Sequence, residues 1–108
     1  MREARLNRLR ESIDRRGLDA LLVTHMPNVF YLTGFTGSTA AVVVSRSEAH
    51  ILVDFRYSVQ ARAECPGVLV QDYAGKPITV ALADLVNTLG IDSAGYEPQH
   101  LTVHEHRV

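Results

Sequence analysis

The chain has 108 residues, of which 46% are hydrophobic, 21% charged and 6% aromatic. This is the composition of one ordinary globular domain, and it excludes a disordered, collagen-like or membrane-spanning chain. Eleven Lys and Arg against twelve Asp and Glu leave a net charge of -1, so no basic field exists to hold a nucleic-acid backbone or an anionic membrane, and neither is an expected partner.

The N-terminal segment Met1-Arg2-Glu3-Ala4-Arg5 is mixed in charge rather than apolar, so no secretory signal is expected. Leu6, Leu9 and Ile13 then recur at helical spacing, with Arg2, Glu3, Arg5, Arg10, Glu11 and Asp14 on the other faces, which predicts an amphipathic helix. Gly17 ends it, Arg15 and Arg16 complement the negative end of its dipole, and Leu18 supplies the closing apolar contact. Ala20 to Thr24 is a continuous apolar run, predicted to be a strand covered on both faces.

Pro27 is read as a break and Asn28 as a cap, with Val29 to Leu32 forming about one helical turn before Gly34. Thr39 to Ser45 and Ala49 to Val53 are predicted to be antiparallel strands joined through Arg46, Ser47 and Glu48. A short helix is expected over Tyr57 to Cys65, stopped by Pro66-Gly67, and a third apolar strand over Val68 to Asp72. Pro77 suits a first helical position, followed by Ile78, Leu82, Leu85 and Leu89 up to Gly90. A last strand is expected over Ser93 to Tyr96 and a final helix over Leu101 to Val108. Five strands and four helices, interleaved apart from one hairpin, predict one α/β domain over residues 1–108. Its mixed sheet has five to six strands, with helices packed on both faces.

Few residues carry chemistry. His100 and His104 would stand one turn apart on the final helix, a spacing that lets two imidazoles share a metal, but His106 would not join them. His25 and His50 stand apart from that cluster, and no metal site is expected in the chain. The glycines of Gly34-Phe35-Thr36-Gly37-Ser38 would let backbone amides approach an anion. That loop leads into a strand rather than a helix and lacks a following Lys-Ser or Lys-Thr, so a connecting loop is expected, with an exposed Phe35 that another domain or a substrate would touch.

Asp54-Phe55-Arg56-Tyr57 groups an acid, a base and a phenol. Either Asp54 and Arg56 form a local ion pair that caps the next helix, or Arg56 reaches out to a carboxylate. Cys65 is expected to be buried at a helix end and cannot close an internal disulfide. Ser38 and Ser58 lack a nucleophile-elbow context. No complete catalytic set is present.

The order Arg5-Leu6-x-x-Leu9, Gly17-Leu18-Asp19-Ala20-Leu21-Leu22-Val23, Asn28-Val29-Phe30-Tyr31-Leu32-Thr33-Gly34-Phe35-x-Gly37-Ser38 and Ile51-Leu52-Val53-Asp54-Phe55-Arg56-Tyr57 resembles the N-terminal domain of the creatinase/prolidase family. The resemblance is to its Xaa-Pro aminopeptidase and Xaa-Pro dipeptidase branch, and it covers essentially the whole chain.

The single cysteine, Cys65, and the absence of an apolar stretch near the ~20 residues that span a bilayer lead to an expected cytoplasmic address. The resemblance implies a two-domain metallopeptidase in which this domain precedes a pita-bread catalytic domain that lies outside the chain. In that domain two Asp, one His and two Glu hold two divalent metal ions (Mn, Co or Zn), which generate the hydroxide that attacks the bond before proline. The present chain is then expected to be inactive alone and to need no cofactor. Its partners would be its own C-terminal catalytic domain, a second copy in a homodimer, and a proline-containing peptide. Its substrate-access loop would be Phe35, Thr36, Gly37 and Ser38, a short apolar edge suited to a peptide. Creatinase places a substrate-contacting Phe and Arg in this region. The sequence has no Arg between Gly34 and Val44, which argues against creatine. Asp54, Arg56 and Tyr57 are a candidate carboxylate contact or a structural ion pair. Two rivals are a protein-binding module of the same fold without peptidase activity, as in a histone-chaperone subunit, and a creatinase-like amidino or amide hydrolase.

Overall fold

The computed structural model describes residues 2–73 and 75–96. The expected final helix, Leu101 to Val108, and the His100, His104 and His106 cluster lie outside the described residues.

Helix α1 spans Arg2–Arg15 and turns its Leu6, Leu9 and Ile13 stripe into the core. It ends through the left-handed Gly17 (φ 70°), with Leu18 N–H donating to Ile13 O at 3.1 Å. Strand β1 (Ala20–Val23) is buried at every position, as its unbroken apolar run predicts.

Helix α2 is a correction. It spans Met26–Thr33, 8 residues rather than one turn, and starts from an extended His25 whose carbonyl accepts the N–H groups of Asn28 and Val29. Pro27 sits in the first turn, where it has no amide to lose and its ring pre-sets the helical φ. Asn28 is therefore a buried helical residue and not a cap. Gly34 closes the helix in the left-handed region (φ 86°), its N–H donating to Phe30 O.

Strands β2 (Ala41–Ser45) and β3 (Ala49–Val53) form the expected hairpin, with Val42 opposite Ile51 and Val43 opposite His50. β2 begins at Ala41, not Thr39. A 3-10 turn over Phe55–Tyr57 leads into α3 (Ser58–Glu64), the helix expected over Tyr57 to Cys65, with those two residues as its caps. Strand β4 (Leu69–Asp72) is the expected third strand, starting one residue later, and it lies at the edge of the sheet with Leu69 exposed. Helix α4 (Ile78–Thr88) is preceded by Pro77 as its extended N-cap residue, one position earlier than expected. Strand β5 spans Ala94–Tyr96.

The sheet order is β4-β3-β2-β1-β5. The hairpin and the β1–β2 pair are antiparallel, whereas β3–β4 and β1–β5 are parallel, giving the mixed sheet expected. Alternation along the strands divides the interior in two. Leu21, Val23, Val42, Val44, Ile51 and Val53 pack against α1, α2 and α3, while Ala20, Leu22, Ala41, Val43 and Leu52 pack against α4. Helices thus cover both faces.

Candidate functional site

The loop that follows α2 is organised from its first residue. The Thr33 hydroxyl donates to Val29 O (2.7 Å) and accepts the Phe35 N–H (3.1 Å), so one side chain both closes the helix and aims the chain that leaves it. Gly34, in the left-handed conformation, completes that reversal.

Phe35 corrects the sequence reading most sharply. It is 1% exposed and among the largest fully buried side chains of the domain. Its ring meets Tyr57 edge-on, with centroids 6.3 Å apart and planes at 85°, a favourable arrangement for two aromatic quadrupoles. Gly37 folds back over that ring, leaving no room for a Cβ. The outward edge of the loop is consequently Thr36 and Ser38, both exposed, and it is hydroxylic rather than apolar.

Thr36 is tied to α3. Its N–H donates to Glu64 Oε1 (2.9 Å) and its hydroxyl to Glu64 Oε2 (2.8 Å). Gln60 Nε2 donates to Thr36 Oγ1 at 3.0 Å. The Thr36 N–H, first, and its hydroxyl, second, hold the Glu64 carboxyl below its usual range, with Gln60 adding to them. Neither Gln60 nor Glu64 was singled out by sequence reading. The partnership spans 28 residues, and its one local trace is an acid placed in the last turn of a helix, against the dipole.

Asp54 caps the 3-10 turn, Oδ1 accepting the Arg56 N–H at 3.0 Å. The Arg56 guanidinium returns to the same carboxylate, Nε to Oδ1 at 3.1 Å and Nη2 to Oδ2 at 3.2 Å, and lies 5.7 Å from the centroid of the Tyr57 ring. The Arg56 side-chain hydrogen bond is the main cause of a lowered Asp54 pKa, and Asp54 in turn raises that of Arg56. Arg56 nonetheless leaves most of its side chain in water (68% exposed).

The two predicted segments, Phe35–Ser38 and Asp54–Tyr57, therefore meet through the Phe35–Tyr57 contact at one end of the sheet. A concavity of about 350 Å³ adjoins them, bounded by Thr39, Asp54, Phe55, Tyr73, Pro77 and Ile78. Tyr73 presents a buried hydroxyl that has no hydrogen-bond partner among the described residues, and burial pushes its pKa up.

Other candidates lie apart. Cys65 is buried in the α1–α3 core. His50 is buried between Glu48 Oε1 (3.0 Å) and the Gln71 amide (3.1 Å). Among the described residues no group of three or more His, Cys, Asp or Glu side chains could hold a metal ion, so these residues do not fit a two-metal centre. No described helix is long and apolar enough to cross a membrane.

Comparison with known proteins follows the same geometry. The profile described as the Creatinase/Prolidase N-terminal domain matches residues 5–108. A curated relative, the uncharacterized peptidase YqhT of Bacillus subtilis (strain 168), is 37% identical over 98 residues, which is 91% of this chain and 28% of that protein. An Xaa-Pro dipeptidase from Bacillus anthracis superposes with a TM-score of 0.85 at 31% identity, over 100% of this chain and 32% of its own. The N-terminal domain of the cytoplasmic peptidase PepQ from Mycobacterium tuberculosis H37Rv superposes with a TM-score of 0.80 at 33% identity, over 94% of this chain and 78% of that one. The chain thus spans under a third of the YqhT sequence and of the Bacillus anthracis structure.

Proposed function

Because the chain belongs to the family of creatinase/prolidase N-terminal domains, we propose that it is the access-shaping domain of an Xaa-Pro metallopeptidase. It carries no catalytic residue of its own. The hydrolysis of the bond before proline, and the two divalent ions that activate water for it, belong to a catalytic domain outside this chain. The whole protein acts in the cytoplasm as a homodimer.

The observation that carries this reading is the built loop. A buried Phe35, a Gly37 that admits no side chain and a doubly held Thr36 fix the backbone of Phe35–Ser38 and leave hydroxyls on its outward edge. Such an edge orients a peptide through hydrogen bonds to its backbone and excludes bulk on one side of a substrate channel. Arg56, held by Asp54, serves to brace the adjoining turn. Phe55 and Val59, one helical turn apart and 68% and 77% exposed, provide apolar area that the catalytic domain covers in the whole protein.

The same exposed pair favours a second reading, a binding module of this fold that has lost peptidase activity. Assay of the full-length protein on Xaa-Pro peptides separates the two. Cleavage before proline that a chelator abolishes and Mn, Co or Zn restores supports the peptidase. Absence of turnover in metal-loaded protein supports the module.

A further inference from the structure

The Glu64 carboxylate is oddly placed for helix stability. It is the last residue of α3, where the negative end of the dipole disfavours an acid. Both of its oxygens are instead used on one residue of the loop, Oε1 by the Thr36 N–H at 2.9 Å and Oε2 by the Thr36 hydroxyl at 2.8 Å. An ionised acceptor makes each of these bonds stronger than a neutral one would.

Gln60, one turn earlier, completes the arrangement. Its amide donates to Thr36 Oγ1 at 3.0 Å and stands 3.4 Å from each Glu64 oxygen. The Thr36 hydroxyl therefore donates to the carboxylate and accepts from the amide. The neighbouring residue, Phe35, is anchored in the core. Successive residues are thus held in two ways, Phe35 by packing and Thr36 by hydrogen bonds, with Gly37 leading on to the exposed Ser38.

We propose that Glu64, braced by Gln60, is the positioning residue of the access loop, setting through Thr36 where the loop's outward edge stands relative to the bound peptide. This rests on the reading of Phe35–Ser38 as the access loop. Glu64 does not touch substrate; its effect passes through Thr36. Loss of the clamp leaves the Phe35 anchor in place, so the loop stays attached but its outward edge wanders. Peptide binding then weakens while the chemical step, which Glu64 does not touch, proceeds.

The test uses the full-length peptidase and a dipeptide Xaa-Pro substrate, with Glu64→Ala, Thr36→Val, Thr36→Ser, the Glu64→Ala/Thr36→Val double variant, and Ser38→Trp as a probe of the loop itself. Glu64→Ala and Thr36→Val each raise KM by about tenfold with kcat within about twofold. The double variant is no worse than the weaker single one, because both remove the same interaction. Thr36→Ser, which keeps the hydroxyl, stays near the parent protein. In the full-length protein, Glu64→Ala speeds hydrogen exchange of the Thr36 amide by about tenfold or more.

Unchanged KM in Glu64→Ala and Thr36→Val, with a raised KM in Ser38→Trp, overturns the positioning role and leaves the access loop standing. Unchanged KM in all three overturns the access loop as well. A fall in kcat that tracks the fraction of folded protein, with KM constant, reduces Glu64 to a stabilising contact and also overturns the proposal; Thr36→Val decides the matter should Glu64→Ala fail to fold.

Discussion

Gly37 lies so close to the Phe35 ring that a Cβ built on it would overlap Cζ and Cε2. The ring has nowhere to retreat, being buried and braced edge-on by Tyr57. Gly37→Ala is therefore an overpacking substitution, expected to destabilise by about 1–3 kcal/mol. Denaturant melts of Gly37→Ala, Phe35→Leu and the double variant check it. The double variant should lose less than the two singles summed, and strict additivity would remove the steric explanation.

Phe35→Ala deletes a fully buried aromatic side chain and is expected to cost about 3–5 kcal/mol. A loss under about 1 kcal/mol, by the same scale, would mean that the ring is not packed as described. Because unfolding dominates in this variant, Phe35 is a poor reporter of substrate access, and Ser38 is the better one.

The contrast between these neighbours also marks how far the sequence could be read. Helix α1 and strand β1 were legible because Leu6, Leu9 and Ile13 repeat at 3.6-residue spacing and Ala20–Val23 is unbroken; both signals are local. The start of helix α2 is masked in the sequence because Pro27 and Asn28 each look like boundaries, although proline is welcome in a first turn. Phe35 read as exposed because it stands in a glycine-containing loop, and its burial depends on Tyr57, Gly37 and the sheet beneath. Glu64 carried no readable signal as a loop partner, since its contact is made across 28 residues. Periodicity reveals which face of an element is covered; it does not reveal which loop a distant carboxylate will hold.

Asp54 and Arg56 distinguish a structural pair from a ligand site. Asp54 accepts both the Arg56 amide and its guanidinium, whereas the Arg56 side chain contributes the guanidinium bonds alone and its amide survives truncation. Asp54→Ala should therefore lower Tm more than Arg56→Ala. In the full-length peptidase, Arg56→Ala should affect free-carboxylate and amidated Xaa-Pro substrates equally. A loss confined to the free-carboxylate substrate would instead make Arg56 a recognition residue.

Among the described residues, three hydrogen-bonded carboxyls tie stability to acid pH. Asp19 is held below its usual range by the backbone N–H groups of Asp92 and then Ser93, Asp54 by Arg56, and Glu64 by Thr36. Each has a folded-state pKa lower than in the unfolded chain. Each therefore contributes stability above the unfolded value, which is lost as pH falls through the folded one. Tm should decline as pH drops from about 5 to about 3, and Asp19→Asn or Glu64→Gln should flatten that decline. A Tm constant down to about pH 3 would contradict these assignments.

Steady-state kinetics of the full-length peptidase carrying Ser38→Trp put the access role of the domain to the most direct test. Ser38 is exposed, and no described contact depends on its side chain, so folding should be preserved. The expected result is cleavage before proline in the parent protein, with KM in the variant raised by about tenfold or more, kcat little changed and Tm unmoved. A full-length protein that does not cleave before proline, or a Ser38→Trp variant with the parent's KM, would contradict the assignment of this domain as the gate of an Xaa-Pro peptidase.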